Sequence, residues 1–144
     1  MRWIVLEEIL SIEPGSHARA TGRLPEASEA AAAELLVLEM AAQTGGLVAG
    51  AQTDFRDDFI FAKIERADFF GPWAPASRFE IEARAEGLRA EGGWIDASVT
   101  CRGEKAAEVR FLLMNVGRLA PEKNSSITFH ETFMNHFRVR EKVR

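Results

Sequence analysis

The chain has 144 residues, 47% of them hydrophobic and 28% charged, with 22 acidic against 18 basic side chains and a net charge of -4. This composition fits one globular domain with a real hydrophobic core, and its mild acidity argues against an electrostatic nucleic-acid binder. A single Cys excludes an intramolecular disulfide framework and a cysteine-built zinc site, the three scattered His leave little scope for acid–base or metal chemistry, and no run of 18 or more apolar residues offers a membrane span.

The N-terminus, Met1-Arg2-Trp3-Ile4, reaches Glu7 and Glu8 too soon for the apolar stretch of a signal peptide. The expectation is a cytoplasmic protein. Trp3 to Ile12 reads as a β-rich segment. It stops at Glu13-Pro14-Gly15-Ser16, where Pro fixes φ and Gly permits a positive one. His17 to Arg23 is the returning strand.

From Ser28 to about Ala49 the residues are strong helix formers, with four consecutive Ala and then Leu35-Leu36-Val37-Leu38. Ser28 is placed to cap the helix. The second half is apolar nearly all round, so it must be buried on most sides. Gly45 and Gly46 fall inside the helix on this reading, because Leu47-Val48-Ala49 continues the pattern. Their missing side chains let another backbone come close.

The period then changes. Phe59 to Phe70 is strand-like and ends at Gly71-Pro72. Arg78 to Glu86 alternates, with Phe79, Ile81, Ala83 and Ala85 facing one way and charged residues the other. That is a half-buried antiparallel strand. Hairpin turns at Glu91-Gly92-Gly93 and Arg102-Gly103-Glu104 separate strands near Trp94–Cys101 and Lys105–Val116. Cys101 shares the inward face of Ile95, Ala97 and Val99 and reads as an inert core thiol.

A loop, Pro121 to Ser126, follows Gly117. Thr128 and Glu131 have capping-box spacing, so one helix is expected from Phe129 to near Val143, with Phe129, Phe133 and Phe137 as its apolar stripe against the sheet or a partner. Arg138, Arg140, Lys142 and Arg144 against Glu141 make its end basic, which suits the helix dipole; it reads either as a solvated helix end or as a draw for an acidic partner or a phosphate. The expected organisation is a domain over 1–117 and an extension over 118–144.

Glu39 sits in the most apolar stretch of the long helix, between Leu38 and Met40. A carboxylate there is costly to desolvate without a partner, and such sites often mark function. Gln43, four residues on, shares its helix face. Two readings stand: a functional carboxylate, or one that pairs with a strand Arg or emerges at the helix edge. Glu34, nearer the helix start, is read as a solvated acid. His17, His130 and His136 lack metal-ligand spacing and read as surface residues.

Leu36-Val37-Leu38-Glu39-Met40-Ala41-Ala42-Gln43-Thr44-Gly45-Gly46-Leu47 resembles the central-helix signature of 3-hydroxyacyl-acyl-carrier-protein dehydratases of the FabZ/FabA type. Ile12-Glu13-Pro14-Gly15 resembles that family's first hairpin turn. Phe69-Phe70-Gly71-Pro72-Trp73-Ala74-Pro75 resembles its Phe-x-x-Pro-x-x-Pro turn. The resemblance implies an α+β hotdog fold, in which a long antiparallel sheet wraps a central helix, here with an extra C-terminal helix. It implies Glu39 as the catalytic carboxylate with Gln43 as its neighbour, and Gly45, Gly46, Phe69, Pro72, Trp73 and Pro75 around the substrate tunnel. It implies no metal and no cofactor. The implied partners are an acyl-carrier-protein or CoA thioester and a second copy in a homodimer, or a higher oligomer or a heteromer with an active paralogue.

One departure is large. The family's His-Phe-Pro-Gly type segment, whose His removes the α-proton, has no counterpart: the matching stretch is Leu24-Pro25-Glu26-Ala27-Ser28-Glu29. Glu34 stands where the family's helix-starting Gly would be. The expectation is therefore a dehydratase-like protein of acyl-thioester metabolism that is impaired in dehydration or depends on a partner for it. The alternatives are a thioesterase using Glu39 and a non-catalytic acyl-binding or heteromer subunit.

Overall fold

The computed structural model describes residues 5–26, 29–119 and 129–144. The chain runs β1 (Leu6–Glu13), β2 (His17–Arg23), α1 (Ala30–Gln52), β3 (Phe59–Phe69), β4 (Arg78–Arg89), β5 (Gly92–Cys101) and β6 (Glu104–Asn115), then two short helices, α2 (Glu131–His136) and α3 (Val139–Lys142). The six strands form one antiparallel sheet in the order β1-β2-β4-β5-β6-β3. Three hairpins account for most neighbours. The exceptions are the two strands that flank the α1 crossover: β2 pairs with β4, and β3 crosses to the far edge beside β6.

Ala and Leu favour the helix, but packing holds α1 in place. Leu36, Val37, Met40, Ala41, Thr44, Leu47 and Val48 are buried against the inner face of the sheet. Glycine permits two close approaches. A Cβ on Gly22 would lie 2.6 Å from the Met40 sulfur, and one on Gly45 2.5 Å from Cζ of Phe111 and 2.9 Å from Cγ2 of Ile95. The first hairpin turn docks on the helix as well: Gly15, with φ 68°, donates its N–H to the Val48 carbonyl at 3.2 Å. The helix starts with Glu29 at the N-cap, whose side chain makes no capping bond; Ser28, the expected cap, lies outside the described residues. Among the described residues α1 alone is, by length and composition, apolar enough to cross a membrane, contrary to the expectation that no such stretch exists, although more than half of that stretch is buried. Its apolarity is that of a core helix enclosed by a sheet. The arrangement is a hotdog fold.

The outer face of the sheet is charged and cross-linked. Arg110 on β6 donates to Glu65 of β3 at 2.6 Å, Asp96 of β5 at 2.7 Å and Glu86 of β4 at 2.8 Å, and lies over the Trp94 ring. One guanidinium thus ties four strands. Hydrogen bonds to Glu86 and then Asp96 hold it further above its ordinary range. Replacing Arg110 with Ala leaves three carboxylates facing one another across the strands. Thermal melts should show a lowered midpoint, and the loss should shrink as added salt screens the repulsion. An unchanged melt at low salt would show that the network adds nothing.

A second cluster has a defined pH sign. Lys105, through a hydrogen bond and its charge, and Arg66, through its charge, hold the Glu108 carboxyl below the ordinary carboxylate range. Its contribution is therefore complete above that range and disappears as the pH falls through the lowered folded value. Glu108→Gln should flatten that part of the acid limb in a stability–pH titration.

The C-terminal segment differs from the single helix expected. It breaks into α2 and α3 at Arg138, which has φ 51°. The expected Thr128 cap lies outside the described residues. His130 caps α2 instead, its Nδ1 accepting the Thr132 N–H at 3.1 Å. The break redirects the chain, so that Val143 makes a parallel bridge to Ile12 of β1 and the Arg144 N–H donates to the Ile12 carbonyl at 2.9 Å. Arg140 pairs with Asp54 just beyond α1 at 2.7 Å. Phe129, Phe133 and Phe137 are buried in the same hydrophobic core as the sheet and α1.

Candidate functional site

The sheet does not enclose α1 completely. Leu35, Leu38, Glu39, Ala42 and Gln43 follow one another along the face turned away from it, and all are half-buried or exposed. Glu39 and Gln43 are one helical turn apart, and the Gln43 amide donates to Glu39 Oε1 at 3.1 Å. This i, i+4 contact was expected from the spacing. It fixes the carboxylate on the open strip. Among the described residues Glu39 pairs with no Arg or Lys; half-buried, it emerges at the helix edge, which the second reading allowed, and both the functional and the edge reading stand.

The strip borders uncovered apolar surface. By register, Phe61, Ile64, Ala67 and Phe69 of β3 share the inner face with the buried residues Leu113, Phe111, Val109 and Ala107 of β6. Yet Phe61 and Ile64 are 38% and 42% exposed, because α1 lies nearer the middle of the sheet. Phe61 stacks on Phe111 with ring centroids 4.6 Å apart. β3 is also an edge strand, bonded among the described residues to β6 alone. An unpaired edge and an uncovered apolar face thus coincide. Sequence reasoning missed this pair of residues, since an apolar strand does not announce which face its helix fails to reach.

The other expected site residues take distinct places. Gly45 points into the sheet against Phe111 and Ile95, while Gly46 faces the C-terminal segment, with a Cβ position 3.4 Å from Cζ of Phe129. Phe69 ends β3 on the inner face. Trp73, half-buried, packs edge-on against Phe79 with centroids 5.4 Å apart. Pro72 and Pro75 are exposed on the same loop. Gly71, Pro72 and Trp73 border a cavity of about 330 Å³ at the start of α1, shared with Ala30, Ala33 and Glu34. The loop thus borders the start of α1, and the Glu39–Gln43 pair sits at its middle.

No histidine reaches Glu39 among the described residues. His17 stays at the first hairpin, with Nδ1 3.2 Å from Ser16 Oγ and 3.3 Å from Glu13 Oε2. His130 caps α2, and exposed His136 packs edge-on against Phe137. Among the described residues no group of His, Cys, Asp and Glu could hold a metal ion. The site therefore offers one oriented carboxylate beside apolar surface. Such a group can take or return a proton, activate water or attack an acyl carbon.

No protein-family profile and no curated protein matches the chain. Solved structures do resemble it in fold. A Streptococcus mutans protein bound to acetyl-CoA superposes with a TM-score of 0.67 at 16% identity, covering 81% of this chain and 94% of its own. A hypothetical thioesterase from Streptococcus pneumoniae, with coenzyme A, gives 0.65 at 15% identity over 76% of this chain and 85% of its own. A dehydratase heterocomplex from Xenorhabdus doucetiae gives 0.64 at 13% identity over 78% and 82%. At these identities the likeness defines the hotdog fold, and function rests on the site.

Proposed function

We propose that this chain is a dehydratase-like hotdog protein of acyl-thioester metabolism that does not complete dehydration by itself. The acyl-pantetheine arm of a carrier protein or of CoA would lie on the open strip of α1, with Glu39 as the reactive carboxylate. The observation that carries the reading is the Glu39–Gln43 hydrogen bond on the helix face that the sheet leaves open. A second copy paired along β3 would cover Phe61 and Ile64 and close the site from the other side. Fold relatives solved with acetyl-CoA or coenzyme A, and one that is a dehydratase heterocomplex, support the same class of ligand.

Dehydration of a 3-hydroxyacyl thioester needs the α-proton removed and the departing hydroxyl protonated. Glu39 suits one of these roles. A histidine for the other would come from a partner chain in a heteromer. Hydrolysis is the second reading, favoured by the absence of a histidine contact to Glu39 among the described residues. A lone carboxylate suffices to activate water against a thioester.

The test incubates the purified protein with 3-hydroxyacyl and saturated acyl thioesters of both CoA and a carrier protein. Dehydration and thiol release are followed separately, and the oligomeric state is measured on the same sample. The expected result is binding without dehydration. Robust dehydration by the homomer would overturn the proposal, and thiol release would select hydrolysis.

A further inference from the structure

The open strip of α1 does not run the length of the helix. Beyond Glu39 its ridge continues through Ala42, Gly46 and Gly50, at a spacing of four residues, so the side chains shrink to nothing. At that end the floor is filled from above. A Cβ on Gly50 would lie 2.5 Å from Cε2 of Phe129 and 3.0 Å from its Cδ2 and Cζ. Gly46 and Gly50 are buried although they lie on the face turned away from the sheet. Phe129 is itself 3% exposed. Phe55 meets its ring edge-on at 5.2 Å and Phe133 at 6.0 Å. The Arg140–Asp54 pair and the Val143–Ile12 bridge fasten the segment behind it.

We propose that Phe129 is the stop that limits acyl chain length at this site. The inference rests on the acyl-thioester reading above. A chain that starts at Glu39 and follows the strip towards the C-terminal end of α1 meets the Phe129 ring over Gly46. Those two positions are seven residues apart, roughly 10 Å along the helix axis, which is about eight bonds of extended chain. The glycine floor and the aromatic stop act together. Glycine inside a helix is less favourable than alanine, and here the missing side chains leave the depth that the ring fills. A shorter acyl group ends before the ring. A longer one must displace a buried side chain held at both flanks.

The test measures binding of a saturated series, butanoyl- to tetradecanoyl-CoA, to the full chain by calorimetry. The wild type should lose affinity beyond about eight carbons. Phe129→Ala should move that limit to longer chains, with dodecanoyl-CoA bound at least about tenfold more tightly than by the wild type. Phe129→Leu keeps most of the burial and should shift the limit less, which preserves the test if the Ala variant does not fold. Phe137→Ala removes another buried tail aromatic, one that packs on Phe133 rather than against the Phe129 ring, and should leave the limit in place. A limit unmoved in both Phe129 variants, with short chains still bound, would overturn the proposal. So would an equal shift from Phe137→Ala. If no acyl-CoA of any length binds the wild type, the acyl-thioester reading fails, and the stop with it.

Discussion

Phe111→Ala is expected to destabilise the chain by about 3–5 kcal/mol, read as a lowered midpoint in urea with an unchanged slope. Phe111 is fully buried at the centre of the inner face, where β6 meets α1. Its ring touches the helix backbone at Gly45 and stacks on Phe61 of the edge strand. Truncation would open a cavity between rigid neighbours, which relax little. The same contact predicts a sign reversal at Gly45. By helix propensity Gly45→Ala should stabilise by about 1 kcal/mol. The new methyl would instead lie 2.5 Å from the Phe111 ring, and overpacking of that kind costs about 1–3 kcal/mol. Combining Gly45→Ala with Phe111→Leu should recover part of the loss, with a coupling of about 0.5–3 kcal/mol. A Gly45→Ala variant more stable than the wild type would refute the close-packing account.

Glu39→Gln is expected to remove thiol release from acyl thioesters, where the wild type shows it, by about 10²–10⁴-fold. The side chain keeps its shape and can still meet the Gln43 amide, so the fold should tolerate the change and the melt should barely move. What is lost is the ability to accept a proton or to attack carbon. Gln43→Ala would leave the carboxylate in place but release it from its hydrogen bond, and a smaller loss is expected. Equal activity in Glu39→Gln would exclude this residue from the chemistry and leave acyl binding as the function of the strip. Hydrolysis rates and melts recorded on the same preparations separate the two outcomes.

Much of this was legible in the residues. The alternation from Phe79 to Ala85 places an inner and an outer face correctly, because a half-buried strand admits few other patterns. The long apolar helix with internal glycines holds for the same reason, since only enclosure on most sides tolerates such a surface. The Glu39–Gln43 contact follows from helical spacing alone. Other features depend on distant chain segments. The i, i+4, i+8 phenylalanines promise one straight helix, but the segment must turn at Arg138 to bring Val143 to β1, and no local pattern encodes that destination. Phe129 closes on α1 at Gly50, and the three phenylalanines join the core shared by the sheet and the helix, as the expected packing face against the sheet requires. The position of β3 beyond β6 is likewise a matter of strand order, and with it the exposure of Phe61 and Ile64.

The fastening of residues 129–144 to β1 and α1 has a consequence during synthesis. All six strands leave the ribosome before Phe129 does. Until then the glycine floor of α1 stands bare, and the Ile12 end of β1 lacks the Val143 bridge. Contacts between such distant parts of a chain form late, and apolar surface left uncovered meanwhile invites association with other nascent chains. A stalled chain released just short of Phe129 would carry a complete sheet and an unsealed groove, the kind of surface that chaperones recognise.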